Sequence, residues 1–166
     1  MDGPGPVVLD TTVRSSVAST DSIPWLVELL TNPATVEAVR TELEAGLTAG
    51  HEFLDRAIRA IGDGSQVLPV EDPIDAARVR LDLGEAAAIQ ATDQYDGTLA
   101  TDDLAARRVA ADRRIPVTGS IGILAFGVSS DDLELETANL WLQTWRNERG
   151  YYAPVDRIEA ALPEDG

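Results

Sequence analysis

Short apolar runs of strand length alternate along this chain with stretches of helical length, and that alternation limits the fold more than any other feature. Pro6-Val7-Val8-Leu9, Val67-Leu68-Pro69-Val70, Gly97-Thr98-Leu99-Ala100-Thr101 and Ile115-Pro116-Val117-Thr118 read as strands. Between them the spacing predicts helices from Thr11 to Thr20, Ile23 to Leu30, Pro33 to Gly46, His51 to Ile61 and Ile74 to Tyr95, the last open to a break near Asp82 to Gly84. Further helices are predicted from Asp103 to Arg113, Ser120 to Val128 and Asp131 to Arg149, with a short one after Pro154. Strands joined by crossovers of about a dozen residues or more imply right-handed connections and a mainly parallel sheet. The expected class is therefore α/β, a three-layer α/β/α sandwich. A chain of 166 residues with no linker-like stretch reads as one domain, with a helical C-terminal tail from about residue 131.

In parallel sheets, ligands gather at the carboxyl ends of the strands. Two of those ends carry acids: Asp10 after the first strand, and Asp102-Asp103 after Gly97-Thr101. Each has an ordinary alternative as a helix N-cap. Glu85 shifts the balance, because it lies a helical turn from Leu81 and Ile89 and so on the apolar side of its helix. A glutamate in an apolar stripe needs a partner. The chain contains no lysine to neutralise it, and a divalent metal shared with Asp10 and Asp102-Asp103 would. With no cysteine and one histidine, such a metal must be held by oxygen, which favours Mg²⁺ or Mn²⁺ over zinc.

Acidic residues outnumber basic ones 29 to 13, for a net charge of −16, and every basic residue is arginine. Such a balance either excludes nucleic acid as a partner or marks a halophilic surface. The second reading is preferred, since at about 1 M salt the Debye length is only about 3 Å and self-repulsion is weak. Local charge then matters more than the sum. Arg107-Arg108 and Arg113-Arg114 are the best candidates for contacts to an RNA backbone, with a solvated helix face as their ordinary alternative. No signal-like or membrane-length apolar run occurs, so a cytoplasmic protein with no membrane partner is expected.

Taken in order, Val8-Leu9-Asp10-Thr11-Thr12, Glu42-Leu43-Glu44-Ala45-Gly46, Gly84-Glu85-Ala86-Ala87-Ala88-Ile89, Leu99-Ala100-Thr101-Asp102-Asp103 and Ile115 to Gly122 resemble the blocks of PIN-domain proteins. The likeness is strongest to the prokaryotic branch related to VapC-type toxins. It implies a Mg²⁺- or Mn²⁺-dependent ribonuclease whose metal and catalytic acids are Asp10, Glu42, Glu85 and Asp103, with Asp102 as a neighbouring metal candidate. Glu42 rests on the resemblance alone, since its helical angle faces the core no more than that of Glu37 or Glu44. Thr11, Thr101, Ser120, Arg107 and Arg108 become candidate substrate contacts. RNA is the implied partner, and an antitoxin protein and a second copy of the chain are candidates. Clustered carboxylates suit such chemistry because a bound cation offsets phosphate charge and needs no side-chain nucleophile. His51, outside every block, reads as a surface residue. Trp141, Trp145, Tyr151 and Tyr152 suit helix packing or a dimer interface better than base stacking.

A haloacid-dehalogenase-type phosphatase also opens on a strand ending in Asp, but it needs an acid where this chain has Thr12, and normally a lysine. The more serious rival is a PIN fold serving as an RNA-binding or regulatory protein with idle acids. Because every acidic position is filled, the enzyme is preferred.

Overall fold

A computed structural model describes residues 5–71, 75–149 and 153–162. The described chain falls into two compact units, 1–118 and 119–166. The first holds a five-stranded, all-parallel sheet in the order β3-β2-β1-β4-β5. Its strands are β1 (Val7–Leu9), β2 (Pro33–Thr35), β3 (Gln66–Val67), β4 (Thr98–Ala100) and β5 (Val117–Thr118). Parallel strands need crossovers, and here those are helical: α1 (Thr11–Ser19), α2 (Ile23–Leu29), α3 (Glu37–Thr48), α4 (Leu54–Arg59), α5 (Ala76–Val79), α6 (Leu83–Gln94) and α7 (Leu104–Asp112). The architecture is the expected three-layer α/β/α sandwich.

The strand order reverses between β1 and β4, so this sheet has its topological switch point at the carboxyl ends of those two strands. Leu9 pairs with Ala100, and Asp10 N–H donates to Ala100 O at 3.1 Å. That register sets Asp10 beside Thr101. Val7, Val8 and Leu9 are all buried, so β1 has no freedom to slip.

Four expectations need correction. Pro33-Ala34-Thr35 opens no helix: it forms β2, buried between β1 and β3, with proline in the first strand position where its missing N–H is tolerated. The strand expected over Val67–Val70 stops at Val67, and β5 starts only after Pro116, because proline cannot extend a ladder. The helix expected from His51 begins at Leu54, and His51 is exposed. The predicted break near Asp82 is real, separating α5 from α6; Ile74 lies outside the described residues.

The second unit comprises α8 (Ser120–Ser129), α9 (Leu135–Arg149) and a 3₁₀ turn, Ile158–Ala161. Its centre is buried Trp145, Leu142 and Ile158, and Asn139 accepts from Ile158 N–H at 2.8 Å, tying turn to helix. Trp145 is thus a packing residue; Tyr151 and Tyr152 lie outside the described residues. Among the described residues no helix is long and apolar enough to cross a membrane.

Candidate metal centre

Asp10 caps α1 while ending β1, so the cap and ligand readings describe one residue in one pose. Its Oδ1 accepts from Val13 N–H (3.1 Å) and the Thr12 hydroxyl (2.6 Å), and its Oδ2 accepts from the Thr101 hydroxyl. The side chain is 1 % exposed. Burial pushes its pKa up to about 7 against the pull of those hydrogen bonds, and neighbouring Asp102 pushes the same way.

Glu42 is held from two sides. Val39 and Leu43 are fully buried and fix the face α3 turns to the core, leaving Glu42 half-buried at its edge while Glu37 and Glu44 are exposed. Its Oε2 accepts from the Thr11 hydroxyl (2.5 Å), and its Oε1 accepts from Gly84 N–H in the first turn of α6 (2.8 Å). The carboxylate therefore links the starts of α1 and α6. Burial raises its pKa; the bonds from Thr11 and Gly84 oppose that and Asp82 adds to it.

Glu85 lies in the first turn of α6 in a reciprocal cap with Asp82: Asp82 Oδ1 accepts from Glu85 N–H at 2.8 Å, and Glu85 Oε2 accepts from Asp82 N–H at 3.2 Å. Burial raises its pKa to about 7, helped by the charges of Asp82, Asp103 and Asp10. Acids from three separate helix starts thus act on one carboxyl. Asp103 caps α7 through Ala106 N–H (2.8 Å), and its own N–H donates to the Thr101 hydroxyl (3.2 Å). Asp102 N–H donates to the Thr12 hydroxyl (3.0 Å). The two threonines lace the Asp10 carboxylate to the Asp102-Asp103 backbone.

Among the described residues Asp10, Glu42, Glu85 and Asp103 make no ion pair, and the five ion pairs described all lie elsewhere. The donor set is all oxygen, which fits a hard divalent cation. As they stand, however, no three acidic or histidine side chains among the described residues are gathered closely enough to hold one ion.

The expected substrate contacts divide. Thr11 and Thr101 hold carboxylates. Half-buried Arg107 donates to Thr101 O at 2.9 Å and so braces the end of β4, whereas Arg108, Arg113 and Arg114 are exposed. Ser120 is buried at the start of α8, in the second unit. His51 packs edge-on against Phe53, with 6.1 Å between ring centroids. Sequence reading missed Thr12, Asp82 and Gly84. Asp82 was the legible one, since Asp-x-x-Glu before an apolar run is a capping box.

A family model described as a PIN domain matches residues 6–166, nearly the whole chain. The chain belongs to the PIN-domain family. No curated protein matches the sequence. PIN domains are generally nucleases and typically use divalent metals, so membership carries both expectations to this chain at that level. In this PIN domain, Asp10, Glu42, Glu85 and Asp103, with Asp102 adjacent, are the candidate acids the sequence named for such an ion.

Proposed function

We propose that this PIN domain is a Mg²⁺- or Mn²⁺-dependent endoribonuclease acting on single-stranded RNA, the toxin of a toxin–antitoxin pair. The observation that carries the reading is the placement of Asp10, Glu85 and Asp103 at the starts of α1, α6 and α7, with the Glu85 carboxyl raised by burial and then by the charges of Asp82, Asp103 and Asp10. Like charges crowded in a partly desolvated place are unfavourable unless a cation is meant to enter. When bound, a divalent ion would offset phosphate charge and acidify a water.

The protein's own part is to hold the acids. Thr12 and Thr101 fix both oxygens of Asp10, and Thr11 with Gly84 fixes Glu42. No side-chain nucleophile is called for, in keeping with a chain that has no cysteine or lysine. Exposed Arg108 is the residue for RNA phosphate, while Arg107 supports the site from behind. An antitoxin and a second copy of the chain are the proposed protein partners.

A second reading, an idle PIN fold that binds RNA, is favoured by one observation: the oxygens of Asp10 and Glu42 are already taken by internal hydrogen bonds. Calorimetry with Mn²⁺ separates the two. Saturable binding that is lost in Asp10→Asn supports the nuclease, and absence of binding in the parent supports the idle fold.

A further inference from the structure

Arg14, one turn after Asp10 on α1, is 1 % exposed and makes no ion pair among the described residues. Its Nη2 donates to the Ser65 hydroxyl (2.5 Å) and, at 3.4 Å, to Ala34 O on β2; its Nε has no hydrogen-bond partner. Burying a guanidinium with an orphaned donor is expensive, and neutral hydrogen bonds to a carbonyl and a hydroxyl do not offset it. Packing alone would be better served by methionine or leucine. Burial lowers its pKa to about 10, opposed by the charge of Asp10, so it remains cationic at neutral pH.

Its place explains the expense. Ala34 pairs with Val8, two residues before Asp10, and Arg14 follows Asp10 by one helical turn, so strand and helix both tie the guanidinium to the neighbourhood of Asp10. In a chain without lysine, this is a fixed positive charge that has Asp10 as an acidic neighbour. The buried environment strengthens their attraction, and salt in the solvent screens it little.

We infer that Arg14 is the resident counter-cation of the acidic site, a positioning residue whose charge holds the carboxylates together without metal and opposes the metal once it enters. The inference rests on the proposed metal site. It gives a sign that a purely structural arginine does not. Removing the charge weakens the metal-free fold and at the same time tightens the metal.

The test is a Mg²⁺ titration at pH 8.5 followed by thermal melting, on the parent, Arg14→Met, Arg14→Gln and Ser65→Ala. Half-saturating Mg²⁺ should fall about tenfold in the two neutral variants, the scale for one unit charge near a divalent ion, and should stay close to parental in Ser65→Ala, which keeps the charge. A neutral variant that folds only when Mg²⁺ is present supports the inference equally. Half-saturation unchanged or raised in both neutral variants overturns it and leaves Arg14 as a tie between α1, β2 and Ser65. Failure of both to fold even in saturating Mg²⁺ also overturns it, since the metal should replace the missing charge. If the parent itself shows no Mg²⁺ response, the metal site fails first and this inference with it.

Discussion

The carboxylate of Glu42 occupies the space that a side chain at position 84 would need: a Cβ added to Gly84 would lie 2.7 Å from Glu42 Cδ, and Gly84 N–H donates to Glu42 Oε1 at 2.8 Å. Glycine inside a helix ordinarily lowers stability by about 0.5–1 kcal/mol relative to alanine. Here the sign reverses. Gly84→Ala should destabilise the fold by about 1–3 kcal/mol through overpacking and a strained hydrogen bond. Urea unfolding measures it, and a stabilised variant would mean that Glu42 does not rest on α6.

Asp10 gives the pH dependence. Its folded pKa of about 7 lies above the unfolded 3.8, so between those values the native state binds more protons than the unfolded chain. Metal-free stability should rise as pH falls from about 7 toward 4, by an amount on the order of 3–4 kcal/mol for this group. The difference curve between parent and Asp10→Asn isolates it from the rest of the acids. Parallel curves would place the Asp10 titration at its ordinary value.

Glu85→Gln keeps an oxygen for Asp82 N–H but removes a charge from the cluster. In chelator the variant should be at least as stable as the parent at pH 8. Saturating Mn²⁺ should stabilise the parent by about 2.7 kcal/mol at a hundred times its dissociation constant, and the variant much less. An ordinary loss of stability with an undiminished Mn²⁺ response would make Glu85 a cap and nothing more.

What the sequence disclosed follows from which forces act locally. Val7-Val8-Leu9 before Asp10, and the acids opening α7, are strand and cap signals, and they placed Asp10 and Asp103 of the candidate site at the ends of β1 and β4 in advance. Pro33 misled because proline suits both a helix start and a first strand position, and only pairing with Val7 decides. Glu42 could not be distinguished from Glu44 by helical phase, since its orientation comes from Thr11 and Gly84, 31 and 42 residues away. Arg14 was hidden for the same reason: its partners Ala34 and Ser65 are brought to it by the sheet.

Salt dependence tests the proposed halophilic character. With a net charge of −16, and with the five ion pairs named among the described residues lying on partly or fully exposed side chains, surface repulsion should dominate at low ionic strength. The melting midpoint should climb from about 0.1 M to 2 M KCl. A profile that stays level over that range contradicts a salt-adapted surface.

The central claim is that the acids around Asp10 make this PIN domain a metal-dependent ribonuclease. The direct measurement is cleavage of a single-stranded RNA in high salt, with Mn²⁺ or chelator, by the parent and by Asp10→Asn at matched folded concentration. The account predicts cleavage that needs the metal, spares duplex DNA and falls by about 100-fold or more in the variant, since changes even behind metal ligands reach that scale. Equal cleavage by parent and variant, or cleavage unaffected by chelator, would contradict it.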